Sequence, residues 1–196
     1  MDAQLTRLLE ELYAEGQRND AHEQERRRRL LNLEPDTAQL LSILVRNGKR
    51  KHLLEIGTSN GYSTIWLAWA AQLTGGHVIS IDREAEKQEQ ADANLQRAGL
   101  RSLVELRCGD ATAIVADLPG PFDFVFFDAD RWSAPAQLAL LTPKLTGDVV
   151  LCADNVHSHP EEIAAYLQAI TALPDFEHMV IPVGKGLSLA YRATES

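Results

Sequence analysis

Apolar residues follow two different rhythms along this chain, and the change between them divides it. In the first 31 residues Leu5, Leu8, Leu9 and Leu12 recur at helical spacing among charges, which predicts a helix running to about the end of that stretch. Pro35 precedes a second helical segment, Asp36–Arg46, with Leu40, Leu41, Leu44 and Val45 on one side. Asp36 or Thr37 is expected to cap it, and Asn47-Gly48 to end it. From there short apolar runs alternate with longer helical stretches. The runs are His52–Ile56, His77–Ile81, Leu103–Cys108, Phe122–Phe127 and Val149–Ala153. The helical stretches are Ser63–Leu73, Glu84–Ala98, Ala111–Leu118, Ala134–Leu145 and Glu161–Ala172. Nearly continuous apolar strands, each followed by a helix, predict parallel strands buried on both faces. The C-terminal end differs: His178–Val183 and Leu187–Arg192 flank Gly184-Lys185-Gly186, the pattern of an antiparallel hairpin. The prediction is an α/β fold, a doubly wound, Rossmann-like sheet, mostly parallel, with an antiparallel C-terminal hairpin. Ligands of such sheets collect at the carboxyl ends of the strands.

Composition narrows the field. The 196 residues, 45% hydrophobic and 24% charged, suit one globular domain, with 1–35 as an N-terminal helical segment and 36–196 as the α/β core. No run approaches the ~18 apolar residues of a membrane span, and the N-terminus lacks a signal-peptide pattern, so a cytosolic protein is expected. A net charge of −9 disfavours nucleic acid and anionic membrane as partners. Arg26 to Arg29 stand among Glu23, Glu25, Glu34 and Asp36 and read as a solvated, salt-bridged helix end, with a phosphate-binding patch as the alternative. Cys108 and Cys152 end apolar runs and read as buried thiols. A strand order of 3-2-1-4-5 sets them on opposite sides of the sheet, so no disulfide is expected between them.

The strand ends carry the chemistry. After the first strand comes Glu55-Ile56-Gly57-Thr58-Ser59-Asn60-Gly61-Tyr62-Ser63, where two glycines permit a tight turn and close backbone approach to a ligand. It is neither a phosphate-binding Gly-Lys-Ser/Thr loop nor a full GxGxxG. The second strand ends in Asp82, placed to accept from both hydroxyls of a ribose or to fix the start of the next helix. The third ends in Cys108-Gly109-Asp110-Ala111, another tight turn. Three such ends in succession suit an adenosine ligand. The fourth and fifth strands end in Asp128-Ala129-Asp130 and Asp154-Asn155, and neighbouring parallel strands lie ~4.8 Å apart, so Asp128, Asp154 and Asn155 can converge. Oxygen donors without thiolates suit a hard cation such as Mg²⁺. The bland alternative is that these residues cap helices and fix loops.

Together these segments resemble the cation-dependent O-methyltransferases, the S-adenosylmethionine enzymes related to catechol and caffeoyl-CoA O-methyltransferases. The resemblance rests on Leu54 to Ser63, Ile81-Asp82, Phe127 to Asp130 and Ala153 to Val156, and covers about Leu33 to Arg192. It implies a seven-stranded sheet with the last strand antiparallel. It also implies that Glu55, Gly57, Ser59, Gly61 and Ser63 serve the methionine end of the cofactor and Asp82 its ribose. Gly109, Asp110 and Ala111 would lie at its adenine, and Asp128 would border it. Asp128, Asp154 and Asn155 match the family's ligands for Mg²⁺, with Mn²⁺ or Ca²⁺ as alternatives. The implied partner is a small hydroxylated acceptor, of catechol-like diol type, and the implied assembly a homodimer. One departure stands out: where the family usually has Lys three residues after the first metal Asp, this chain has Arg131. Guanidinium is a poor base, so Arg131 is expected to act electrostatically; His157, just after Asn155, is the candidate for base or extra ligand, against the plainer reading of His157 and His159 as solvent-exposed loop histidines. Two alternatives follow: a cofactor-binding module with weak turnover, motivated by Arg131, and an NAD-type oxidoreductase.

Overall fold

The period-2 alternation inside each strand sorts its side chains between two apolar layers. The computed structural model describes residues 1–193 and carries a seven-stranded sheet in the order β3-β2-β1-β4-β5-β7-β6. The strands are β1 His52–Ile56, β2 His77–Asp82, β3 Val104–Cys108, β4 Phe122–Phe127, β5 Leu145–Ala153, β6 Glu177–Ile181 and β7 Leu187–Arg192. Strands β1 to β5 pair in parallel, whereas β7 is antiparallel to both β5 and β6. The doubly wound sheet with its C-terminal hairpin is as the sequence predicts. The helices are α1 Ala3–His22, α2 Pro35–Asn47, α3 Tyr62–Thr74, α4 Ala85–Arg97, α5 Ala111–Asp117, α6 Ala134–Leu141 and α7 Pro160–Thr171.

Leu53, Phe124, Phe126, Val150 and Cys152 point to one face, where they meet Leu9 and Leu12 of α1, Leu41 and Val45 of α2, and α3. Their neighbours Leu54, Val125, Phe127, Leu151 and Ala153 point to the other, against Val115 of α5, Leu138 and Leu141 of α6, and Tyr166 of α7. The apolar stripe of α1 is therefore buried on its own domain. Burial of leucines such as Leu12, 1% exposed, contributes about 2 kcal/mol each and holds α1 in place.

Four local expectations need correction. Helix α1 ends at His22, not near residue 31: beyond it Arg26–Arg28 form a single 3₁₀ turn and the chain runs without regular structure, with a left-handed Leu31 (φ +49), to Pro35. Consecutive arginines with no apolar partner at helical spacing leave nothing to bury there. Arg27 and Arg28 pair instead with Glu25, and the Arg29 Nε donates to the Glu23 carbonyl. The N-cap of α2 is Glu34, with Pro35 in the first turn and no side-chain cap, rather than Asp36 or Thr37. Strand β5 starts at Leu145, before the apolar run, because backbone pairing of Leu145 with Phe122 does not need apolar side chains. Helix α6 is correspondingly short.

Cys152 is buried, as expected, but Cys108 is exposed on edge strand β3; both are free thiols. Burial also pushes the Cys152 thiol pKa up, further suppressing its thiolate. Native protein should therefore react rapidly with Ellman's reagent at Cys108 alone, and Cys108→Ser should abolish that phase. Rapid labelling of Cys152 without denaturant would contradict this packing.

Candidate active site

The carboxyl edge of the sheet is extended by ladder bonds one residue beyond the strands. Gly57 N–H donates to the Ile81 carbonyl at 2.8 Å, Asp128 N–H to Ile56 at 2.8 Å, Asp154 N–H to Phe127 at 3.1 Å and Gly109 N–H to Asp82 at 2.9 Å. These bonds fix the backbones that carry the acids. Gly57 has φ +116, and a Cβ there would overlap the Asp128 backbone, so only glycine lets β1 end so close to the first acid.

Beneath this edge lies Glu55, with no solvent exposure. Ser63 Oγ donates to its Oε1 at 2.6 Å, Ser80 Oγ to its Oε2 at 2.6 Å, and Thr64 Oγ1 also donates to Oε2. Burial raises the Glu55 carboxyl to about 7 despite these three hydroxyls. The Ser63 hydroxyl is thus turned inward onto Glu55, and Glu55 itself underpins the loop rather than lining its open side. Above it, Ser59 has φ +47; its N–H donates to Asp82 Oδ2 at 2.8 Å and its hydroxyl to the Leu30 carbonyl at 2.6 Å. Asp82 Oδ1 also accepts from Glu84 N–H at 3.0 Å, so the loop-fixing role is present. Each carboxylate oxygen keeps a further lone pair for an outside donor. Gly61, with φ +86, is the N-cap of α3, which has no side-chain cap. Asp110 caps α5 through Ala113 N–H at 2.9 Å, with Gly109 and Ala111 on either side of it.

The acids of β4 and β5 do converge. Asn155 Nδ2 donates to Asp128 Oδ1 at 3.2 Å and to Asp154 Oδ2 at 2.8 Å, bridging the two carboxylates. Asn155 takes a left-handed φ of +71, which an Asn tolerates. Asp154 Oδ1 is buried with no hydrogen-bond partner. Burial, then the neighbouring charges of Asp154 and Glu55, holds Asp128 well above the usual carboxylate range. Burial chiefly raises Asp154 to about 6. Two buried acids that resist ionisation and an unpartnered oxygen fit a site completed by a cation. Two carboxylates and an amide oxygen, reached by turning the Asn155 amide, form a hard-donor set with positions left for water and acceptor. Among the described residues no group of three His, Cys, Asp or Glu side chains gathers, so the amide would be the third protein donor.

The profile of the family described as methyltransferase domain matches residues 54–156, just over half of the chain, from within β1 to just past the second acid. The chain belongs to that family. A catechol O-methyltransferase of Niastella koreensis is 37% identical over 105 residues, covering 52% of this chain and 47% of that protein. One of Mycobacterium tuberculosis is 37% identical over 119 residues, covering 60% and 54%. The chain thus spans about half the length of these relatives. Among solved structures, an O-methyltransferase from Bacillus cereus in complex with SAH superposes with a TM-score of 0.80 at 27% identity, over 98% of this chain and 91% of that one.

On this methyltransferase domain Arg131 keeps the electrostatic position expected of it, and His157 takes the place of an exposed loop histidine and not that of a base. Arg131 is buried and bound to Glu162, its Nε at 2.9 Å and a terminal nitrogen at 2.7 Å from the same oxygen. Its charge still acts on Asp154. His157 is exposed, its ring lies against Gly186, and it makes no hydrogen bond to Asp128, Asp154 or Asn155. The structure does not bring it to the acids, because its N–H is held by the Lys185 carbonyl at 2.8 Å, which ties this segment to the hairpin. Sequence reasoning missed Ser80, Glu34, Lys185 and Glu162. Ser80, a polar residue inside an apolar strand, was the one with a readable signal.

Because the folded pKa of Glu55 lies above its ordinary 4.5, the native state holds a proton the unfolded chain has lost between those values. Its contribution is full at low pH and is lost as pH rises through about 7. Chemical denaturation should show stability falling over that window, with Glu55→Gln removing about 3 kcal/mol of the fall. An identical pH profile in the two proteins would contradict the buried, proton-holding Glu55.

Proposed function

We propose that this chain transfers a methyl group from S-adenosylmethionine to one hydroxyl of a small catechol-like diol, with a divalent cation held by Asp128, Asp154 and Asn155. The observation that carries the reading is the bridged acid pair with its unpartnered Asp154 Oδ1, set directly against the Gly57 turn. The catechol O-methyltransferase relatives and the SAH-bound structural neighbour support the same reaction class.

The bound groups supply an electrophilic methyl on a sulfonium and a positive charge that lowers the pKa of an acceptor hydroxyl. The chain's own part is positioning. Asp82 offers its free lone pairs to ribose hydroxyls while its loop bonds keep it oriented. Gly109, Asp110 and Ala111 would hold the adenine. Gly57, Ser59 and Gly61 would take the methionine end on their backbone, which Glu55 and Ser63 brace from below. Asp128 and Asp154, ionised by a bound cation, would hold the acceptor end. Arg131 stays charged in its pair with Glu162, so it steadies negative charge near Asp154 instead of taking a proton.

Calorimetric titration with S-adenosylhomocysteine in chelator should give saturable micromolar binding, weakened tenfold or more by Asp82→Ala. Mg²⁺ should raise the melting temperature of the wild type and not of Asp154→Asn. A folded protein that does not bind the nucleoside contradicts the cofactor assignment; an equal Mg²⁺ shift in both proteins contradicts the metal site.

A further inference from the structure

Lys185 sits at the turn of the β6–β7 hairpin, far in sequence from the acids but tied to them in space. Val156 N–H donates to the Gly186 carbonyl at 3.0 Å and His157 N–H to the Lys185 carbonyl at 2.8 Å, fastening the turn to the segment that follows Asn155. Gly184 and Gly186, with φ +53 and +88, allow the turn to press against Thr37 and Glu34 on one side and His157 on the other. Its ammonium lies 2.8 Å from Glu34 Oε1, and its side chain keeps 42% exposure. Its ion pair is with Glu34 and not with Asp128 or Asp154, so its other donors are not taken by the acids. Half-burial works against the ammonium, but the Glu34 carboxylate outweighs this and keeps it protonated.

This pair is not saturated. An ammonium has three donors, and Glu34 takes one of them. Two of its donors and its partial exposure therefore leave the ammonium able to take an anion in addition to Glu34.

We propose that Lys185 docks an anionic substituent of the acceptor, a carboxylate carried by the diol-bearing molecule, and that Glu34 holds the ammonium over the site until that anion arrives. This rests on the diol methyl-transfer reading above. It makes Lys185 a specificity-determining residue for acceptor charge, distinct from the groups that act on the reacting oxygen.

The test compares catechol with 3,4-dihydroxybenzoate, which adds only the carboxylate, in the wild type, Lys185→Met and Lys185→Arg. Both kcat and KM are measured with Mg²⁺ and saturating S-adenosylmethionine, and acceptor binding is measured by calorimetry with S-adenosylhomocysteine and Mg²⁺. The wild type should favour 3,4-dihydroxybenzoate. Lys185→Met should raise its KM and Kd tenfold or more, with kcat within threefold, a loss at least fivefold greater than on catechol. Lys185→Arg should recover most of it. Losses on the two acceptors within threefold of each other would overturn the assignment and leave the diol reading standing. A wild type that methylates neither acceptor, while still binding S-adenosylhomocysteine, would overturn the diol reading and this inference with it.

Discussion

Glu55 has no contact with solvent, and three hydroxyls from two different elements donate to it. Ser63 and Thr64 bring the first turn of α3, and Ser80 brings the middle of β2. The network continues: Thr58 Oγ1 and Ser80 Oγ are 2.6 Å apart, and Gln88 of α4 donates to Thr58 and to the Arg107 carbonyl of β3, both at 3.1 Å. A buried polar network of this kind is costly when partly satisfied and specifying when filled. Here it leaves the Gly57–Gly61 turn one geometry, set from below. The Gly57 turn in turn fixes the approach of Asp128, so the position of the first acid depends on a side chain that never reaches the open site.

The second constraint is electrostatic. Three carboxylates, Glu55, Asp128 and Asp154, are raised by burial, and like charge adds to that for each of them. Such an arrangement costs stability at neutral pH, and sites of this kind are retained where the chemistry needs them. The positive charges that offset it, Arg131 and Lys185, are each held by a glutamate at the rim. Negative charge at the floor and paired cations at the rim suit an acceptor that meets a cation with its hydroxyls and the rim with its remainder.

The fold was legible because strand burial on both faces writes itself as unbroken apolar runs, and helices as a 3.6-residue stripe. Asp128, Asp154 and Asn155 were legible because topology alone brings the ends of adjacent parallel strands together. What could not be read was side-chain direction. Nothing in the string Leu54-Glu55-Ile56 says that Glu55 turns down toward Ser80, or that Ser63 follows it. Lys185 lies about 30 residues beyond the second acid, and only the β5–β7 pairing and the Val156 and His157 ladder bonds return it to the site. His157 looked well placed by sequence distance from Asn155, yet the same bonds hold it against Gly186. Arginines 26 to 29 read as a helix end because charge runs commonly finish helices; here the absence of an apolar partner ends the helix earlier, at His22.

Methyl transfer to a diol with help from a divalent cation is read by mass spectrometry of catechol incubated with the protein and S-adenosylmethionine carrying a trideuterated methyl. With Mg²⁺ the product should be heavier by one labelled methyl group, with only background in chelator. Product formed equally in both would contradict the role given to Asp128, Asp154 and Asn155, and no labelled product with Mg²⁺ would contradict the reaction itself.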